Sequence, residues 1–217
     1  MLSFLRGANP PRTNIAGNNP IVFEDGRSNV KFHSRTSEYL MTHTIPPTTP
    51  EHGSSLVQPP FHYHIYQTER FRVRSGTATL WRGISSEPWI TLSAEPGKQS
   101  TGQVGPRRYH KFENASVTED LVIDVQLDPE DYEREQKFFR NFFGYLDDCR
   151  KSKVAPSLFQ LLVFLHEADT PLGLPLPNEM LGIWASRAFL IGMAFWGRWL
   201  LGYQATYGEY YEDRKSR

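Results

Sequence analysis

A single cysteine, Cys149, stands in 217 residues, so no disulfide can close within the chain and no thiolate metal cluster can be assembled from it. That scarcity suits a reducing compartment, and a cytoplasmic protein is the expectation. Charge of one sign is also missing: 24 Lys and Arg offset 24 Asp and Glu. A polyanion-binding surface usually shows as a basic excess, so no nucleic-acid partner is expected. The opening MLSFLRGANPPRTN has no sustained apolar run before Arg6 and the prolines, and it does not read as a secretory leader. In that setting the Asn-Ala-Ser sequon at Asn114 reads as coincidence. Internal repeats and long low-complexity tracts are absent as well.

What is present divides near Asp128. Before it, short alternating runs such as PIVFEDG, NVKFHSR, EYLMTHTI, RFRVRSGTATLWRG, WITLSAEPG, RYHKFEN and LVIDVQL are separated by Gly, Pro, Asn and Ser. Several short strands with turn punctuation indicate a barrel or sandwich. The proline-rich PPTTPEHGSSLVQPP is unsuited to a central strand and leads the chain to the barrel mouth. After Asp128 the period becomes helical. Asp128 is placed to cap a helix with Pro129 at its first position, and Tyr132, Phe139, Phe142, Phe143 and Leu146 form a wide aromatic face. PSLFQLLVFLHEAD and EMLGIWASRAFLIGMAFWGRWLLGYQ read as second and third helices. The expected organisation is an N-terminal arm over 1–19, a mainly β barrel over 20–128 and a C-terminal helical extension over 129–217.

The stretch PPFHYHIYQTERFRVRSG carries polar residues that an ordinary half-buried strand does not need. Residues two apart share a strand face, so His62 and His64 point the same way. If Glu69 alternates with Phe71 and Val73, then Arg70, Arg72 and Arg74 fall on the opposite, solvent-suited face, as a solvated or ion-paired edge. A carboxylate turned into an apolar interior is costly without a partner, and a divalent metal is one such partner. A second polar cluster, GPRRYHKFENAS, adds His110, with Asn114 four residues on. Imidazole and carboxylate ligands suit borderline divalent ions, and ligands short of a full shell leave coordination open for catalysis. A metal-free polar cluster is the alternative.

These residues resemble the two motifs of the cupins: His62, His64, Glu69 and Gly76 match the first, and His110 with Asn114 the second. The likeness covers roughly residues 22–127. Leu56 stands where the first motif opens with glycine, and Gly105-Pro106-Arg107 stands for the second motif's Pro-x-Gly; both departures fall at turns. The resemblance implies a double-stranded β-helix, or jelly-roll, barrel binding Fe, Mn, Ni or Zn through His62, His64, Glu69 and His110, and a homodimer. A lone barrel followed by a tryptophan-rich helical tail is similar to stand-alone cupins among fungal natural-product tailoring proteins. This implies isomerase, cyclase or lyase chemistry on a small aromatic or polyketide-like molecule, with the metal as Lewis acid. An Fe(II)-dependent dioxygenase is the alternative, and a non-catalytic metal- or ligand-binding protein a third.

Tyr66 and Tyr109 are the candidate catalytic proton carriers, with aromatic lining as the other reading. Phe71, Trp81 and Phe112 are candidates for the substrate pocket. Asn114 reads as a turn residue, and His33, His43, His52 and His166, lacking comparable spacing, read as surface or capping residues. The 182–203 segment would carry Arg187 and Arg198 if it spanned a membrane, so it reads as a buried or interfacial helix. Its Trp184, Trp196, Trp199 and Tyr203 give the expectation of peripheral membrane contact.

Overall fold

The computed structural model describes residues 6, 7 and 9–212. Part of the expected N-terminal arm, residues 1–5 and 8, lies outside them, as do residues 213–217. Among the described residues, nine strands form two antiparallel sheets. One has the order β1 (Ile21–Phe23), β2 (Ser28–Phe32), β3 (Met41–Ile45), β9 (Leu121–Asp128), β4 (Thr68–Ser75), β7 (Thr101–Val104). The other has the order β6 (Ile90–Ser93), β5 (Thr77–Arg82), β8 (His110–Asn114). Two antiparallel sheets facing each other give the mainly β jelly-roll barrel that the resemblance implies.

Alternation sets the inward faces. On β3, Met41, His43 and Ile45 are buried, and on β4, Glu69, Phe71 and Val73 are buried while the arginines turn out. The outer arginines are ion-paired: Arg72 and Arg74 reach Asp124 on β9, Arg72 also reaches Glu38, and Arg70 reaches Asp128. Gly76 turns the chain from β4 into β5 at φ +78°, where a Cβ would lie 2.7 Å from the Asp120 carbonyl oxygen. Both the positive φ and the close approach require glycine.

Three helices follow: α1 (Tyr132–Lys151), α2 (Leu158–Glu167) and α3 (Glu179–Phe195), the last continuing through a wider turn over Trp196–Leu200. They are built into the barrel rather than appended to it. Phe143, Tyr145 and Cys149 of α1, Phe164 of α2, and Tyr207 and Tyr210 beyond α3 share one core with Phe23, Phe71, Phe112 and Val125. Asp148 of α1 accepts from Thr13 and from the Tyr210 hydroxyl, tying both ends of the described chain to one helix. The cap of α1 differs from expectation: Asp128 ends β9 and pairs with Arg70, and Asp131 is the N-cap, its side chain accepting from the Arg134 N–H. Asp128 is held by the ladder with Thr68, so the helix starts one turn later.

α3 presents a largely apolar outer side. Trp184 is 61% and Trp199 68% exposed, with Met180, Leu181 and Phe195 also exposed. By length and composition Glu179–Leu200 would suffice to cross a membrane, and 33% of its apolar stretch is buried inside the protein.

Glu135 locks α1 to the barrel. One carboxylate oxygen accepts from the Asp131 N–H and from Gln67, just before β4, while the other, also buried, has no partner. Burial pushes this carboxyl from 4.5 to about 7, although the hydrogen bonds from Asp131 and Gln67 oppose the shift. A carboxyl whose pKa is raised in the folded state makes stability fall as pH climbs from the unfolded value to the folded one. Between pH 4.5 and 7 the native protein is therefore expected to lose about 2 kcal/mol relative to Glu135→Gln, which keeps the accepting oxygen and cannot ionise. Urea denaturation of both proteins across that window measures the difference; parallel profiles would show that the Glu135 pKa is unchanged by folding.

Candidate metal centre and adjoining cavity

Four side chains from different parts of the chain meet at one end of the barrel. Glu69 lies on β4 of the six-stranded sheet and His110 opens β8 of the other. His62 and His64 are not on a strand with Glu69, as the alternation had implied. They sit in an extended segment before β4, clamped on both sides by backbone hydrogen bonds. His62 exchanges two with His110, while Tyr63 and Ile65 donate to Pro171 and Asp169 beyond α2. With the backbone groups of 62, 63 and 65 satisfied this way, His62 and His64 keep strand-like alternation and a common side. The Tyr66–Gln67 corner then brings Glu69 in from the adjacent strand.

The rings are oriented by their outer nitrogens. His62 Nδ1 lies 2.8 Å from the Pro60 carbonyl oxygen, and His110 Nδ1 2.8 Å from that of Arg108. His64 Nδ1 lies 3.1 Å from the Thr170 hydroxyl, whose own proton goes to the Ala168 carbonyl. Each Nδ1 is thus the donor, and each Nε2 turns inward. All three face Glu69 Oε2, at 2.6 Å for His110, 3.3 Å for His64 and 3.7 Å for His62.

Burial is nearly complete: His62, His64, Glu69 and His110 are all under 8% exposed. Burial pushes the His62 imidazole down to about 4, reinforced by the neighbouring His110. For Glu69, burial raises the pKa, but its close contacts with His110, His62 and His64 outweigh it and hold the carboxyl well below its usual range. With protons on the Nδ1 atoms, the inward lone pairs and the carboxylate oxygen are acceptors facing acceptors. One proton cannot satisfy three such contacts. A cation among them can, and the four donor atoms lie within 4.8 Å of one another. Three imidazoles and one carboxylate suit Fe, Mn, Ni or Zn.

The cluster forms part of the wall of a cavity of about 600 Å³, counting its open mouth. Apart from His43, Gln58 and Thr170, the rest is apolar and aromatic. Phe112 comes from β8, Val125 from β9, Leu165 and Leu172 from around α2, and Phe138, Phe139, Phe142 and Phe143 from α1. The α1 rings pack on one another with centroids 4.9–5.8 Å apart, roofing the cavity. Such a lining favours an apolar or aromatic ligand.

Other candidate residues fall elsewhere. Tyr66 is 57% exposed at the corner before β4. Tyr109 is buried but faces away from His110, its neighbour on the strand: its hydroxyl lies 3.1 Å from Ser186 Oγ on α3, against Gly182. Neither tyrosine lines the cavity, so neither is placed to carry a proton there. Phe112 does line it. Phe71 supports the site from behind, its ring 5.4 Å from Phe112 and 6.4 Å from His110. Trp81 points outward, with the Lys111 ammonium 4.4 Å from its ring, because Ala78 and Leu80 hold the inward positions of β5. Asn114 closes a turn through the Ile45 and Glu119 carbonyls. His43 corrects the surface or capping expectation: it is 3% exposed and lines the cavity. A lone histidine in an alternating run gave no spacing signal, although its inward register on β3 was readable.

No family model matches the chain. Among curated proteins it is 29% identical over 209 residues to virH of Hypocrea virens, named a probable oxidoreductase, covering 94% of this chain and 91% of that one. It is 25% identical over 186 residues to the epoxidase atD of Aspergillus terreus, covering 79% and 54%. Among solved structures the Drosophila melanogaster CENP-C cupin domain aligns over 58% of this chain and 90% of that one, at 11% identity and a TM-score of 0.37. The oxidoreductase iacF of Pestalotiopsis fici is 34% identical over 160 residues, 70% of this chain and 74% of iacF, and the chain belongs to its family.

Proposed function

We propose that the chain is a metal-dependent oxidoreductase acting on a small, apolar, ring-bearing molecule, with a divalent ion held by His62, His64, Glu69 and His110. The observation that carries this reading is the convergence of three imidazole nitrogens on one buried carboxylate oxygen at the wall of an otherwise apolar cavity. The names of relatives as oxidoreductases and an epoxidase favour a redox-active ion, Fe or Mn, over a Lewis acid alone. When bound, such an ion supplies one-electron chemistry and Lewis acidity beside the substrate. The residues of the chain do the rest. The Pro60 and Arg108 carbonyls and the Thr170 hydroxyl hold the three rings, and the phenylalanines of α1 keep bulk water from the reacting face. An isomerase, cyclase or lyase reading relies on a tyrosine proton carrier, and Tyr66 and Tyr109 lie outside the cavity lining.

Protein purified without chelators, or reconstituted with Fe(II), is expected to hold about one equivalent of metal per chain, lost in His62→Ala and in His110→Ala. Elemental analysis measures this, and full occupancy in both variants would rule the site out. Thr170→Val removes the acceptor behind His64 while preserving side-chain shape. It should weaken metal affinity about 10-fold by competition against a chelator, with the fold unchanged by circular dichroism.

With phenolic and polyketide-like compounds as trial substrates, turnover should draw down dissolved oxygen in step with product. Undiminished product under strict anaerobiosis, without another oxidant, would return the isomerase, cyclase or lyase class.

A further inference from the structure

Among the described residues that line the cavity, one buried side-chain polar atom lacks a hydrogen-bond partner, and it belongs to His43. The outer nitrogens of His62 and His64 are bonded as described, and Gln58 Oε1 accepts from the Asn114 N–H. His43 Nε2 is buried and has no partner.

His43 is at the centre of β3, level with Ile123 on β9 and, through it, with Val73 on β4. Glu69 is four residues along β4 from that row, about 13 Å of strand. The ring is enclosed edge-on by Phe112, Phe139 and Phe143, with centroids 6.4, 6.2 and 5.7 Å away. Its Nδ1 lies 3.4 Å from the Val57 carbonyl oxygen. A carbonyl accepts only, so the ring proton resides on Nδ1 and Nε2 presents a lone pair. Burial pushes the imidazole down to about 4, so it is neutral near pH 7. The charged residue facing it across the cavity is Glu69.

A buried acceptor left without a donor is disfavoured, and no described side chain supplies one. The donor must enter with the cavity's occupant. We propose that His43 is a substrate-positioning residue whose Nε2 accepts a hydrogen bond from a hydroxyl group of a ring-bearing, otherwise apolar substrate. The ligand class is thus a phenol or an enol. Its hydroxyl docks among Phe112, Phe139 and Phe143, and its far end lies toward His62, His64 and Glu69. This assignment rests on the cavity being the substrate site of the proposed oxidoreductase, and on nothing about the metal's identity.

The test uses 2-naphthol and its methyl ether, which share a ring system but differ in the donor. Their binding to the zinc-loaded full chain is followed by calorimetry. The naphthol should bind about 10-fold more tightly than the ether, the effect of one buried hydrogen bond with its alternative left unpaired. In His43→Leu that preference should fall to less than about 2-fold. In wild-type protein labelled with ¹⁵N-histidine, the His43 Nε2 resonance should move toward the hydrogen-bonded position with the naphthol and stay fixed with the ether. Equal affinities in the wild type, or binding of neither compound, overturn the proposal, as would a water molecule alone at Nε2. The wild-type comparison stands even if His43→Leu fails to fold. The metal content of the same preparation reports separately on the metal-site reading.

Discussion

Three imidazole lone pairs turned toward one carboxylate oxygen repel one another unless positive charge sits among them, and the fold holds them in that arrangement. The Pro60 and Arg108 carbonyls and the Thr170 hydroxyl take the Nδ1 protons, so the rings cannot relieve the repulsion by exchanging tautomers without losing outer hydrogen bonds. Burial removes the other escape, since water cannot solvate the inward atoms. A cation among these atoms would meet the polar cost of the site. The surrounding structure serves largely to make the alternatives unfavourable.

That structure draws on distant segments. Glu69 and His110 come from opposite sheets, and closure of the barrel brings them within 2.6 Å. The His62–Ile65 segment belongs to no sheet, and residues 169–173 beyond α2 hold it like a short added strand. The helices are therefore part of the site. Thr170 supports His64, Leu172 lines the cavity, and the first turn of α1 is fixed to the barrel through Glu135 and Gln67. A barrel without its helices would retain Glu69 and His110 but lose the clamp on the two ligands between the sheets.

Much of this was legible because strand alternation and ligand spacing are local properties. His62, His64 and Glu69 stood out by their intervals, the resemblance to the cupins joined His110 to them, and the arginine stripe of β4 followed from its alternation with Glu69, Phe71 and Val73. The same rule, applied further, places Tyr109 opposite His110 and Trp81 opposite Leu80, so those two expectations were correctable from sequence. Tyr66 was not, because the chain turns at the residue itself and the period breaks. His43 was hidden for another reason. A lone inward histidine means little until the fold shows which rings surround it and that no donor reaches it. Similarly, the N-cap shift from Asp128 to Asp131 depends on the ladder with Thr68, a long-range pairing.

The two long helices have unequal bearing on chemistry. α3 is seated on the outside of the His62–Ile65 clamp: Tyr63 and Tyr109 alternate away from the metal ligands and bond to Ile183 and Ser186. Its exposed tryptophans are thus separated from the cavity by the layer that carries His62, His64 and His110. α1 lies directly over the cavity, where Phe138, Phe139, Phe142 and Phe143 make one wall and two of these rings also enclose His43. A change of shape on that face would alter which molecule fits while leaving the ligands and their carbonyl supports in place. A change on the outer face of α3 would alter what the protein touches and leave the reacting space as it is. An occupant of the cavity and anything touching the outer face of α3 would therefore meet different helices, joined through α2, which packs against both.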